Sequence, residues 1–354
     1  MVTEEELKNM SPEQIAELQK QNCIFCHIVS GRVSSKKIYE DDKAIAVLDI
    51  NPANPGHILL MPKEHHMIMP QMPDDLINHI GMLAKQLSHA ALKALKVEGT
   101  DIFVANGAIA GQKSPHFMVH IIPRKENDGL RLILPENQID TSQLRQLAAI
   151  LKQKLRSADR ESSFISRELT KSSASCQYCS EIKSAENIVF SDDEVCAFLS
   201  PAPASAGHVI VSPLEHTPII ENVPDFVVGR MFQIANRVSV AAFEAFGAQG
   251  TNLLITNGVP AGQKVPHVGL HVLPRKQGDN LDLSWTPRQL NEEEMSTIEL
   301  QLKEQTRNTG FFEKKKPAPI ELDLGNEEPE IDDSDIAPGR QETNYMLRHI
   351  RRIP

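Results

Sequence analysis

The chain has 354 residues, enough for two domains with cores of their own and a tail. Apolar residues make up 40% and charged residues 24%, the balance of a globular protein in water. No apolar run approaches the roughly 20 residues of a membrane span, and a formal net charge of −10 argues against a general nucleic-acid binder, which needs a basic face for phosphate.

Residues 1–18 are polar and acidic and predict a short surface helix. They lack the charged-then-apolar order of a signal peptide, so the cytoplasm is the expected compartment. Cys23 and Cys26 follow, then two short β-runs, AIAVLD and HILLMP. A helix begins at Pro73–Asp74, with Leu76, Ile80, Leu83, Leu87, Ala90 and Ala91 at helical spacing along one stripe. DIFVAN and FMVHIIPR predict two more strands, and a closing helix runs from about Ser142 with Leu144, Leu147, Leu151 and Leu155 on its inner side.

The chain then repeats itself. His57, Pro62, His65, Gly111, Gln112, His116, His120 and Arg124 recur 151 residues later as His208, Pro213, His216, Gly262, Gln263, His267, His271 and Arg275. Cys176 and Cys179 repeat the first cysteine pair at an offset of 153, which a small loop deletion accommodates. VCAFLS, HVIVSP, TNLLITN and VGLHVLPR repeat the strands, with a helix from Asp225 and a last one after Asn291, where Glu294 completes a capping box. Strands, a helix and strands again predict an α+β fold built on antiparallel sheet in each half. The domains are placed at residues 19–155 and 173–305, joined by a polar linker at 156–172.

Residues 306–354 differ in kind. Eight acidic side chains fall between 321 and 335, and setting them against the total of −10 leaves −2 for the rest. Acidic, proline-rich sequence of this sort buries too little apolar surface to fold alone, so a disordered tail is expected. Its last stretch, 344–354, regains apolar and basic character and reads either as a frayed end or as a docking peptide for a protein partner.

The C-x-x-C pairs let one tight turn present two thiolates to a single tetrahedral metal. Such pairs in cytosolic proteins are more often metal-binding or redox than structural disulfides, and no thioredoxin-like strand-to-helix setting accompanies these. Histidines at matching positions complete a Cys2His2 set in each half: Cys23, Cys26, His65 and His116, then Cys176, Cys179, His216 and His267. The bland alternative is buried cysteines beside surface histidines. Cys196 aligns with Ile45 and is expected in the core.

GQKSPHFMVHIIPR (111–124) and GQKVPHVGLHVLPR (262–275) resemble the signature of the histidine-triad (HIT) family, GQ-x-V-x-H-x-H-x-H-x-x-P-R. CIFCHIVSG, LDINPANPGHILLMPKEH and the NG before GQ are similar to that family as well, and the likeness covers both halves but not the tail. The resemblance implies small α+β nucleotide-binding domains that usually dimerise, many of them nucleotidyl hydrolases or transferases whose middle histidine attacks the α-phosphate. It also implies zinc on the two Cys2His2 sets, about two ions per chain. A nucleotide would then meet Asp49, Ile50, Asn106, Gly111, Gln112 and His120, with Gln263 and His271 left in the second half. Internal pairing of the halves is expected, since fusion raises their effective concentration, and a homodimer is the alternative.

Two departures matter. The nucleophile position is Met118 in the first half and Gly269 in the second, and neither side chain can attack phosphorus. Asp49 has Ser200 as its counterpart, so any nucleotide affinity is expected mainly in the first half. The leading expectation is a zinc-containing nucleotide- or phosphate-binding protein without covalent nucleotidyl transfer. The alternative is a hydrolase or phosphoramidase acting directly through water, with His120 or His57 as its base.

Overall fold

The computed structural model describes residues 10–158, 172–184 and 186–313. Most of the expected linker, the tail from 314 and the peptide 344–354 lie outside the described residues, as do residues 1–9.

The first helix, α1 (Pro12–Gln21), starts at a capping box in which Ser11 and Gln14 bond each other's backbone N–H groups. A short helix α2 (Ile24–Val29) follows directly from Cys23. Strands β1 (Lys37–Glu40), β2 (Ala44–Leu48) and β3 (Ile58–Pro62) precede the long helix α3 (Asp74–Leu95), which carries Asp74 and Asp75 in its first turn, where carboxylates suit the helix dipole. Strands β4 (Gly99–Asn106) and β5 (Val119–Arg124) and helix α4 (Thr141–Ala158) complete the first half. The second half repeats the order with α5 (Gln177–Ser184), β6 (Ile188–Ser191), β7 (Val195–Leu199), β8 (Val209–Pro213), α6 (Asp225–Phe246), β9 (Gly250–Asn257), β10 (Leu270–Arg275) and α7 (Glu292–Gln305). The capping box of Asn291 and Glu294 opens α7 as expected.

The ten strands form one sheet in the order β1-β2-β3-β5-β4-β9-β10-β8-β7-β6, with every neighbour antiparallel. The seam between the halves is β4 against β9, from Thr100 opposite Asn257 to Asn106 opposite Thr251. Both faces of the sheet are covered, so β2, β3, β7 and β8 are buried at every position. Alternation still sorts their side chains. Ala44, Ala46 and Leu48 join the main core under the long helices, whereas Ile45 and Val47 turn to the opposite face with Phe25, Ile28 and Met118. Cys196 lies on the corresponding face of the second half and is fully buried.

Two segments depart from the sequence reading. The closing helices, assigned by continuity to the half each follows, pack on the other half. Helix α4 lies against α6, β6 and β7, and α7 lies against α3 and β1. Ion pairs tie each across: Arg145 to Glu186, Lys154 to Glu244 and Lys36 to Glu292. Helical periodicity shows that Leu144, Leu151 and Leu155 need covering, but not what covers them. Residues 306–313, counted with the tail, also have fixed partners. Thr306 Oγ1 donates to Ile38 O at 2.7 Å, Gly310 N donates to Gln86 Oε1 at 2.8 Å, and the Phe312 ring meets His79 edge-on.

Candidate functional site

Two Cys/His clusters form where the sequence placed them. Cys23 sits just before α2 and Cys26 within it, His65 follows β3, and His116 precedes β5. Cys23 Sγ lies 3.5 Å from His116 Nδ1, Cys26 Sγ 3.3 Å from His65 Nδ1 and 3.7 Å from His116 Nδ1. The second cluster gives 3.6, 3.5 and 3.6 Å for the matching pairs. A tetrahedral ion with sulfur at about 2.3 Å and nitrogen at about 2.0 Å has sulfur–nitrogen edges of about 3.5 Å, so both quartets fit one ion each. His116 Nε2–H donates to Pro62 O at 3.0 Å and His267 Nε2–H to Pro213 O at 3.1 Å, which turns each Nδ1 lone pair toward the thiols. Burial and the adjacent Cys23 push the Cys26 thiol up to about 12, and burial brings His116 and His267 down to about 4. Such thiols ionise when a cation takes the proton's place.

Beside each quartet a pair of histidines is wired by its hydrogen bonds. Ala53 N–H donates to His57 Nδ1 at 3.1 Å, so the proton of this neutral ring is on Nε2. That Nε2–H lies 3.0 Å from His120 Nδ1 and fills its lone pair, leaving His120 with a donating Nε2–H and no free acceptor. Ala204, His208 and His271 repeat the relay at 3.1 and 2.9 Å. Burial holds His57 and His208 well below the usual histidine range and His120 and His271 at about 4, so the neutral forms prevail near pH 7. Asp49 comes close enough to His57 and His120 for the three to be a candidate metal trio, but the imidazole acceptors are already engaged. One Asp49 oxygen accepts the Asn51 N–H at 2.8 Å, and burial raises its carboxyl.

The cavities next to these relays differ. In the first half a cavity of about 480 Å³ is walled by Asp49, Phe103, Lys113, Met118, His120 and Trp285. Its counterpart in the second half holds about 120 Å³. Tyr178, which replaces Phe25, accounts for the loss: a Cβ at Gly269 would lie 2.8 Å from the Tyr178 ring and 2.9 Å from Ile210. Glu136 closes over the same cavity and ties Lys264 at 2.5 Å, whereas Lys113, its first-half equivalent, forms no hydrogen bond or ion pair among the described residues and acts on Asp49 and His120 only through its charge.

Each cavity takes one wall from the opposite half. Arg275 bonds Asp279 and the Leu281 carbonyl, and so aims residues 281–285 across the seam. Trp285 arrives with its ring centroid 5.7 Å from His57, 5.4 Å from His120 and 5.7 Å from Phe103. Arg124 aims the matching arm the other way, through Asp128 and Leu130 O, and it delivers Leu134 where the first cavity has tryptophan. The sequence reading missed Trp285, although it is the chain's single tryptophan.

Several expected ligand contacts are committed elsewhere. Gln112 accepts the Gly107 N–H at 2.7 Å and spends both amide hydrogens on Met67 O and Ser114 O, at 2.7 and 2.8 Å. Gln263 is bound in the same way to Gly258, Pro218 and Val265. These side chains pin their loops, and with those bonds in place both amide hydrogens of each are spent on carbonyl oxygens. Asn106 is buried at the seam, accepting from Met69 N at 3.0 Å and lying 3.3 Å from Thr251 Oγ1. Ile50 projects into solvent at 82% exposure. Gly111 lines the first cavity with φ +89°, a conformation that favours glycine. His271 survives only in the small second cavity.

The model of the HIT domain matches this chain twice, at residues 30–127 and 181–278. An uncharacterized HIT-like protein of Methanocaldococcus jannaschii is 46% identical over 108 residues, 30% of this chain and 82% of that protein. An adenosine 5'-monophosphoramidase of Candida albicans is 35% identical over 149 residues, 40% of this chain and 95% of its own length. The crystal structure of a zinc-bound histidine triad family protein from Mycobacterium smegmatis, 32% identical, covers 32% of this chain and 81% of that one with a TM-score of 0.31.

Proposed function

Since this chain belongs to the HIT domain family and carries that domain twice, we propose that it binds a nucleotide or related phosphate in its first half without covalent nucleotidyl transfer. The observation that carries this reading is Met118 in the cavity wall beside His120. A thioether is a poor phosphoryl nucleophile, and His120 offers a hydrogen-bond donor rather than a base. Asp49 can accept from ribose hydroxyls, Lys113 and the His120 N–H can meet an anion, and Trp285 and Phe103 supply flat apolar surface. Direct hydrolysis with His120 or His57 as base is the weaker reading, because both imidazole acceptors are occupied.

Zinc is the ion proposed for both quartets, which match its preference for four sulfur and nitrogen donors. Cys23, Cys26, His65 and His116 would hold one ion, and Cys176, Cys179, His216 and His267 the other. A zinc ion held there would stiffen the starts of α2 and α5, which carry Phe25 and Tyr178. The intrachain seam of β4 and β9 supports internal pairing in place of a homodimer. No helix among the described residues is long and apolar enough to cross a membrane, and the cytoplasm is the proposed compartment. A protein partner for 344–354 remains a proposal from sequence.

Calorimetric titration with AMP, metal analysis and incubation with adenosine phosphoramidate and diadenosine polyphosphates test the reading together. The expected outcome is one AMP and two zinc ions per chain and no AMP released. AMP release that His120→Ala abolishes would establish the hydrolytic reading instead. A purified chain without zinc would overturn the metal assignment.

A further inference from the structure

The long helices α3 and α6 cross antiparallel under the seam. Asp74 O, at the start of α3, accepts from Gln233 Nε2 at 2.9 Å, and Asp225, at the start of α6, accepts from Lys85 at 2.8 Å and Gln86 at 3.2 Å. The repeat offset of 151 makes Asn78 the counterpart of Gly229 and Gly81 the counterpart of Phe232. Those are also the residues that touch across the crossing. A residue in contact with its own counterpart lies on the axis relating the halves, and in a symmetric dimer it would face a copy of itself.

At both axial positions a side chain faces a glycine. A Cβ on Gly229 would fall 1.6 Å from Asn78 Oδ1 and 3.0 Å from the Asn78 carbonyl oxygen. A Cβ on Gly81 would fall 2.9 Å from the ring of Phe232, which is 1% exposed. The two pairs point opposite ways, one projecting from α3 and the other from α6. Two first halves would therefore bring Asn78 against Asn78 and leave a hole at Gly81. Two second halves would drive Phe232 into Phe232. Off the axis, buried Lys85 bonds Asp225 and Val223 O, whereas its counterpart Asn236 has no charge to offer. A second-half pair would lose that bond altogether.

We propose that this helix face recognises only the opposite half: it joins the halves within one chain and rejects a second copy of the same half by steric conflict on the axis. The proposal rests on the intrachain pairing read above and not on the ligand, so AMP titration of the wild-type chain judges the two separately.

A swap across the axis in the full-length chain is the test. Gly81→Phe and Phe232→Gly each remove one fit, while the double variant exchanges projection and hole and keeps the same residues. Thermal midpoints are expected to fall in both single variants, or Gly81→Phe to fail to fold, and the double variant to recover at least half of the larger loss. Gly229→Asn with Asn78→Gly repeats the test at the other position. A double variant no more stable than its worse parent would overturn the proposal. Sedimentation of the wild-type chain decides the remainder: a monomer is expected, and a dimer cross-linked α3 to α3 or α6 to α6 would refute selectivity against a second copy.

Discussion

The two cavities share a histidine relay and a neighbouring Cys2His2 quartet, yet one has about 480 Å³ of space and the other about 120 Å³. The difference comes from Tyr178 and Glu136, outside the motif, acting with Gly269 inside it. Tyr178 fills the space that Gly269 releases, Leu134 stands where Trp285 stands, and Lys264 is neutralised by Glu136 where Lys113 is left facing the cavity. The repeat thus holds two copies of the scaffold and two cavities of unequal size. The second half contributes to the first pocket by lending it Trp285, and conserving the relay alone does not keep a pocket open.

The largest effect expected comes from restoring the missing imidazole. Met118→His should gain a covalent nucleotidyl adduct, detectable by intact mass, because the cavity beside it has room. Gly269→His should gain none, and it should lower stability by about 1–3 kcal/mol as the ring meets Tyr178 and Ile210. An adduct at 269 would abolish the contrast between the halves. With zinc and fold intact, no adduct at 118 would mean that the first pocket takes something other than a nucleotide.

A smaller effect should come from the crossing arms. Trp285→Ala is expected to weaken AMP binding by about 1–3 kcal/mol, roughly 5- to 150-fold, if the indole stacks on the base. Leu134→Ala, its equivalent on the other arm, should leave AMP affinity unchanged in the same titration. Equal losses would show that both cavities bind.

The smallest effect is one the halves should share. His120 and His271 are held at about 4 by burial, whereas unfolded histidine titrates near 6.5. The unfolded chain therefore takes up protons first. The stability these groups leave undisturbed above pH 6.5 is lost as pH falls from there to about 4, and levels off below. Urea midpoints across that range should show this slope, and His120→Ala should remove only its first-half share. An unchanged slope in that variant would mean that His120 is not held neutral by burial.

Much of this was legible in the chain. The repeat, the α+β halves, both Cys/His quartets and the alternation that buries Phe117 and Val119 while turning Met118 toward the cavity all follow from spacing. Local geometry sets them, and local geometry is written in neighbouring residues. The bonds that Gln112 and Asn106 make within the fold were not legible, for the opposite reason. A motif names a residue without saying what its polar atoms bond to: the Met67 and Ser114 carbonyls take the Gln112 amide hydrogens, while Asn106 accepts the Met69 N–H and meets Thr251 Oγ1 at the seam.

By itself, then, the sequence determined the two folded halves, the Cys2His2 sets that could hold a metal and the placing of Met118 and Gly269 between histidines on their strands, since each depends on residue type at a fixed local spacing. Tertiary structure alone decided which half closes over which. Leu144 and Leu151 on α4 cover the second half, Trp285 completes the first cavity, and Phe232 enters the gap above Gly81. An apolar stripe or a lone aromatic ring records that a surface must be buried, and its burial free energy is largely indifferent to direction. Only when the ten strands meet in one sheet does shape select the partner.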